Sequence, residues 1–428
     1  MQKGHLREIS LGHFGSVRIR QHRNNMRILL TTHGTRGDVQ PIVALGVALK
    51  ARGHIVQLVA PANFVTWARG FGLDTESDGV DVEALLRASG AGLQSFSWQL
   101  RYLTNNTPLL FEPVARMSDG CELIVGAGLQ FAAASVAQWR KVPYAHVVFC
   151  PCATPNSATP PPNMRSQTLP RWINRFLWRA SGPLADLALR GPVNRGRATL
   201  GLDALDDPIS ALLKGRTILA ADRDLAPPSA DAPQSAVNTD AWLLEQTGAL
   251  DARVEAFLRE GPAPVYIGFG SMVAPRAAEL VGQAVAAVRA VGRRGVIAGG
   301  WAALDTHVKQ AGDLITVDNV PHGLIFPRVA AAIHHGGAGT TTAAARAGIS
   351  QVVLPHILDQ YYWAHRVKVL GLGPPALPIE RVTVDVLRDR ISRAVNDPLI
   401  RDRVNALAPA ITARNGVAAA VEEIEALR

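Results

Sequence analysis

Charged residues are scarce in this chain of 428 residues: Asp, Glu, Lys and Arg make up 18% of it, against 48% apolar residues. That balance excludes a disordered polyelectrolyte, because there is enough apolar surface to offset the entropy of ordering. Cysteine is scarcer still, with Cys121, Cys150 and Cys152 the whole supply. Three thiols cannot build a disulfide framework, and the odd number fits a reducing compartment, so we expect a cytoplasmic protein. Cys150 and Cys152 form a lone Cys-x-Cys with no second pair, weak ground for a metal site. No stretch approaches the roughly 18 uncharged apolar residues of a spanning helix, and no apolar run like that of a secretory signal stands near the start. Aromatic residues are only 6% of the chain, so any local concentration of them carries information.

Acidic residues are outnumbered 35 to 44 by Lys and Arg, for a formal charge of +9. Such an excess points towards nucleic acid or an anionic surface. Much of it is local, however. Residues 1–25 hold Lys3, Arg7, Arg18, Arg20 and Arg23 against Glu8, ahead of a second methionine, Met26, that opens an apolar strand. We expect this segment to be a poorly ordered extension and expect no nucleic-acid partner. The length exceeds that of a single core and implies about two domains.

Glycine is what the chain has where it matters. Ile333-His-His-Gly-Gly-Ala-Gly-Thr-Thr-Thr342 reads as a strand, a glycine-rich turn and a helix start, with a helical run over Ala343–Gly348 and a further strand from Gln351. Gly336, Gly337 and Gly339 allow close backbone approach, and Thr340–Thr342 offer hydroxyls and unpaired N–H groups where a helix dipole favours an anion. A diphosphate suits such a place. The spacing is neither the Walker pattern nor GxGxxG. Arg27–Thr32, a turn at Gly34–Asp38, a helix over Pro41–Arg52 and a strand at Ile55–Ala60 form a β-α-β unit of a doubly wound parallel sheet. Its exit loop carries His33, Arg36 and Asp38. Val265–Gly268 followed by Phe269-Gly-Ser271 repeats the design in a second half.

These motifs together resemble the inverting nucleotide-sugar glycosyltransferases with two Rossmann-like domains, the GT-B fold. The likeness is greatest to the sterol glucosyltransferase and vancomycin-type branch. It rests on Gly34-Thr-Arg-Gly-Asp-Val-Gln-Pro41, Gly268-Phe-Gly-Ser271, Gly300-Trp301, Val320-Pro-His322, His334-His-Gly-Gly-Ala-Gly-Thr340, and Pro355 with Asp359-Gln360. The resemblance implies an α/β protein of two such domains facing across a cleft, with acceptor on the first and donor on the second. It implies Asp38 as the base that takes the acceptor proton, a step that inverting transfer requires. The rival reading of Asp38 is a helix cap. His33 lies just outside the motif and is the reserve candidate for the base.

For the donor, the resemblance assigns Gly270, Ser271, His335, Gly337, Ala338, Gly339 and Thr340 to the diphosphate, and Val320 to the base edge. A cationic or donor histidine at 335 would stabilise the departing diphosphate. Trp301 stacks on the base or plugs the domain edge. Asp359 and Gln360 fit sugar hydroxyls, since a carboxylate and an amide together accept and donate; the rival for Asp359 is a cap on the helix after it. We expect no metal or other cofactor. UDP-glucose is the first choice of donor, with a dTDP-deoxysugar as its rival, and a non-catalytic nucleotide-sugar-binding protein stands as a rival of another class.

An aromatic concentration, Phe96, Trp98, Tyr102, Phe111 and Phe131, reads as core or, with Phe149, as part of an apolar acceptor cleft. The acceptor is expected to be a lipophilic hydroxyl compound: a sterol, hopanoid, polyketide or other secondary metabolite. Thr154–Pro162 reads as a loop over the cleft or a disordered strip. Leu169–Arg190 reads as basic amphipathic helix, either packed in a bundle or in transient contact with an anionic membrane. The expected domains are 26–224, ending in a metal-like Asp222-Arg-Asp224, and 263–405, with 225–262 a linker between them and 406–428 returning to the first domain.

Overall fold

The computed structural model describes residues 25–89, 95–232, 236–245, 248–270, 277–299, 312–318 and 320–428. The expected extension, apart from Asn25, lies outside them. So do Ser271 and Trp301.

Two parallel sheets carry the fold. The first contains β1 (Arg27–Thr32), β2 (Ile55–Ala60), β3 (Asp74–Ser77), β4 (Leu123–Ala127), β5 (Tyr144–Val148), β6 (Arg216–Leu219) and β7 (Ala236–Asn238), in the order β3-β2-β1-β4-β5-β6-β7. The second contains β8 (Val265–Gly268), β9 (Gly295–Ala298), β10 (Leu314–Val317), β11 (Ala331–His334) and β12 (Ser350–Val353), in the order β10-β9-β8-β11-β12. Covered on both faces, the central strands are apolar almost throughout: Ile28, Leu29 and Leu30 are fully buried, as are Ala331, Ala332 and Ile333. In each sheet the strand order reverses beside the first strand, between β1 and β4 and between β8 and β11. The crevice outside the carboxyl ends at that reversal is where open α/β sheets bind ligands.

Three expectations about elements are corrected. The linker assigned to 225–262 contributes β7, whose residues pair with β6 as a seventh strand of the first sheet. The helix after the glycine turn begins at Ala338 rather than Ala343 and runs to Arg346. The amphipathic segment is one helix, Arg171–Thr199, which packs on neighbouring helices through only part of its apolar residues. Trp172, Phe176, Leu184 and Leu187 point outwards, while Asn174, Leu189, Val193 and Arg197 turn in.

The halves are joined by packing and charge. Val148, Cys150, Cys152 and Leu225 share an apolar core with Tyr362, Trp363, Val367 and Ile411. The cysteines are free thiols buried there, and burial pushes the Cys150 thiol up. The Asp-x-Asp pair is committed to arginines: fully buried Asp222 holds Arg346 at 2.6 Å, and Asp224 holds Arg414 at 2.5 Å. Among the described residues no group of His, Cys, Asp and Glu is arranged to hold a metal ion. The final helix, Gly416–Glu425, lays Ala420, Val421 and Ile424 on the core of the first sheet.

Candidate active site

The β1 exit loop forms one wall. Thr35 is the N-cap of the helix Arg36–Ala51, and Asp38 stands in its first turn. Asp38 Oδ2 accepts hydrogen bonds from the Thr35 N–H at 2.8 Å and from Thr35 Oγ1 at 3.2 Å. Cap and base readings are therefore compatible, because one oxygen steadies the helix while Oδ1 carries no hydrogen bond among the described residues. Burial raises the Asp38 carboxyl above its ordinary value, against the lowering effect of the Thr35 bonds and of His33. The loop needs Gly34: its φ is +135°, and a Cβ there would lie 2.4 Å from Asp38 Oδ2.

His33 is held at both ring nitrogens. Nδ1 lies 2.6 Å from Oδ2 of Asp78, which is 2% exposed, and Nε2 lies 2.6 Å from the Tyr102 hydroxyl. The other oxygen of Asp78 accepts the Val80 N–H at 2.9 Å. Burial, with the charges of Asp78 and Asp38, raises the Tyr102 phenol, so it stays protonated beside Nε2. The sequence reading missed Asp78, since a lone aspartate after a short polar strand carries no motif. It also left Tyr102 as one ring among several. Trp98 stacks on Tyr102 with centroids 5.3 Å apart. The helix Phe96–Asn106 thus brings Trp98 and Tyr102 to the β1 exit; the Phe96 side chain lies outside the described set. Of the other two proposed acceptor contacts, Phe131 is corrected. Phe131 is 2% exposed and packs in the interior with Leu29, Ile124 and Val136. Phe149 is half-buried, edge-on to Trp242 against the first core.

The β11 exit loop forms the facing wall. His334 is fully buried: its Nδ1 accepts the Gly336 N–H at 3.1 Å and its Nε2 meets Gln351 Oε1 at 2.9 Å. It therefore shapes the turn. His335 points the other way, and its Nδ1 is buried without a partner. Burial, followed by the neighbouring His334, His356 and His322, holds it well below the ordinary histidine range. That favours the neutral ring, which can still offer an N–H donor. Two glycines make room for the ring: a Cβ at Gly337 would lie 2.5 Å from Nε2, and one at Gly270 would lie 3.1 Å from Cε1. The N–H groups of Ala338, Gly339 and Thr340 open the helix Ala338–Arg346 and meet no acceptor among the described residues, an arrangement that favours an anion. Val320 packs half-buried against the core around Tyr266 and Phe326.

Asp359 stands at the start of the helix Gln360–Val369 but makes no capping hydrogen bond. Its Oδ2 accepts the Trp363 indole N–H at 2.9 Å. Burial, and then the negative charge of Asp38 on the facing wall, push its carboxyl up to about 6. Gln360 Oε1 accepts the His356 and Ile357 N–H groups at 2.8 and 3.2 Å, so the amide oxygen folds the loop. Arg36, which the sequence placed in the β1 exit loop without a role, has one here. It lies over Trp67 at 5.0 Å and acts electrostatically on Tyr266 and His322 of the second domain. Asn163 bridges the walls, donating to Gln99 Oε1 and accepting the Leu358 N–H, both at 2.7 Å.

Known proteins share this plan. Residues 28–108 match the glycosyltransferase family 28 N-terminal domain, and residues 301–427 match the erythromycin biosynthesis protein CIII-like C-terminal domain. Glycosyltransferase GtfE of Amycolatopsis orientalis is 37% identical over 81% of this chain and 85% of its own. The chain belongs to the vancomycin-type glycosyltransferase family. This glycosyltransferase is also 34% identical to the dTDP-epi-vancosaminyltransferase of the same organism, over 81% of this chain and 85% of that one. The sterol 3-beta-glucosyltransferase of Candida albicans is 29% identical over 93% of this chain but 27% of its own. Among solved structures, CalG4, the calicheamicin glycosyltransferase, superposes with a TM-score of 0.71 at 17% identity, covering 94% of this chain and 98% of that one. VinC in complex with dTDP gives 0.68 at 20% identity, with 94% and 99% covered. The glycosyltransferase thus has the GT-B fold. Among its described residues no helix is long and apolar enough to cross a membrane.

Proposed function

We propose that the protein moves a hexosyl group, with inversion, from a nucleoside diphosphate sugar to a hydroxyl of a lipophilic acceptor, and needs no metal. The observation that carries this reading is a carboxylate with a free oxygen, Asp38, facing a loop that pairs an anion cradle with Asp359. In this reading Asp38 Oδ1 takes the acceptor proton as the oxygen attacks the anomeric carbon, and its raised affinity for protons suits it to the task. His33 serves less well at rest because Tyr102 occupies its Nε2. The diphosphate leaves towards the N–H groups of Ala338, Gly339 and Thr340 and the His335 ring, which stabilise the charge as it builds. Arg36 adds positive charge from the acceptor wall. Asp359 accepts sugar hydroxyls, and Trp98 and Tyr102 bound the acceptor.

UDP-glucose is the proposed donor and a sterol, hopanoid, polyketide or other secondary metabolite the proposed acceptor. Likeness to sterol glucosyltransferases favours UDP. Greater identity to the dTDP-epi-vancosaminyltransferase favours the second reading, a dTDP-deoxysugar. Calorimetry with UDP and dTDP, followed by hydrolysis of their sugars, decides between them. Asp38→Asn is expected to slow transfer by about a hundredfold or more while UDP affinity holds. Near-normal turnover in that variant, with loss on His33→Ala, would move the base to His33.

A further inference from the structure

The outward face of the helix Arg171–Thr199 is unlike the rest of the surface. Trp172, Phe176, Leu184 and Leu187 are 70%, 64%, 68% and 69% exposed, and their spacing sets them along one stripe, continued by Ala180 and Pro183. Arg171, Arg175 and Arg179 are exposed along one border of that stripe, and Arg190 is exposed further along the helix. Arg175 and Arg190 are paired with Asp231 and Asp206 at 3.5 Å, while Arg171 and Arg179 have no partner among the described residues. The one acidic residue of the helix, Asp186, is spent on the Ile209 N–H at 2.8 Å.

We propose that this face docks the protein onto the surface of a lipid bilayer that carries anionic headgroups. A convex stripe of large apolar side chains bordered by arginines matches such a surface: the rings and leucines enter the boundary of the acyl region while the guanidinium groups stay among phosphates. A helix of 29 residues spans roughly 43 Å, long enough for broad contact with a plane. A second copy fits the charge poorly, because an antiparallel pair sets arginine border against arginine border. The basic leader of residues 1–25 would likewise meet its own sign.

The docking face is tied to the cleft. Asn174 and Trp178 on this helix donate to the carbonyls of Ser157 and Thr159 at 3.0 and 2.9 Å. The same loop carries Asn163, which bonds both walls of the site. Docking would therefore place the mouth of the cleft beside the lipid from which a lipophilic acceptor could enter, although the docking itself does not depend on what is transferred.

The test is flotation of the full chain with vesicles of phosphatidylcholine alone or mixed with phosphatidylglycerol. Binding to the mixed vesicles, weakened by salt, is expected, with a loss of about tenfold or more for Trp172→Ser/Phe176→Ser and a smaller loss for Arg171→Gln/Arg179→Gln. All four positions face solvent, so the thermal midpoint should be unchanged, and it reports folding separately. No binding of the wild type to either vesicle overturns the proposal. So does unchanged binding of the Trp172→Ser/Phe176→Ser variant. Sedimentation showing a wild-type dimer that this variant converts to monomer would assign the face to a second copy instead. Vesicle binding is read without donor or acceptor, so its failure leaves the transfer reading standing, and the reverse also holds.

Discussion

At the scale of single residues, the site depends on groups that proteins usually avoid placing together. Asp38 and Asp359 face each other, and each holds its proton more tightly than an ordinary carboxyl. Asp359 is ionised only as pH rises through about 6, against 3.8 for the free group. Ionisation is thus disfavoured by folding: the cost is absent below the unfolded value and fully present above the folded one. Asp359→Asn, which keeps an acceptor for the Trp363 indole, should raise the thermal midpoint near neutral pH and leave it unchanged at about pH 3, while transfer falls. Because the Asp38 charge adds to the upward shift, Asp38→Asn should move the midpoint of pH-dependent donor binding, followed by calorimetry, downwards. An unmoved midpoint would mean that the two carboxylates do not sense each other. Gly337→Ala, with its Cβ driven onto His335 Nε2, should cost at least about tenfold in UDP affinity. Gly339→Ala meets no atom within 4 Å and should leave the fold intact.

At the scale of elements, positions are set by close approaches as much as by apolar pattern. The helix Arg171–Thr199 reaches the core only because Gly196 lacks a side chain: a Cβ there would lie 2.2 Å from the Phe111 ring. Gly196→Ala should therefore destabilise the protein by about 1–3 kcal/mol in urea titrations, with UDP affinity kept. This contact also shows what a sequence conceals. The β1 and β11 exit loops were legible, since glycines, a helix start and apolar strands recur there in a fixed order. Asp78 and the loop bonds of Gln360 were not, because their partners, His33 and the Ile357 backbone, are fixed by how the chain folds back. The helix was legible as amphipathic but not in which direction its apolar side points, for periodicity defines a stripe without saying what faces it. Phe131 was misplaced for the same reason.

At the scale of the whole molecule, the two sheets and their order followed from repeated β-α-β patterns, while the seventh strand of the first sheet was hidden in a short polar stretch that pairs only at an edge. The domains are held by the buried Asp222–Arg346 pair, whose members come from opposite halves. Asp222→Ala should cost about 3–5 kcal/mol, because the guanidinium is left without its counter-charge, and should broaden calorimetric unfolding towards two transitions. The return of Gly416–Glu425 to the first core has a topological consequence. The second sheet and its helices form an insertion, entered after Asp240 and left ahead of Gly416. A nick at the first crossing leaves that half tied covalently to the final helix, which packs on the first core, and a nick at the second leaves it tied to the first seven strands, so only a double cut removes both covalent links. Two parallel tethers also resist sliding and twisting more than bending, so opening of the cleft is confined to rotation about the line joining the crossings.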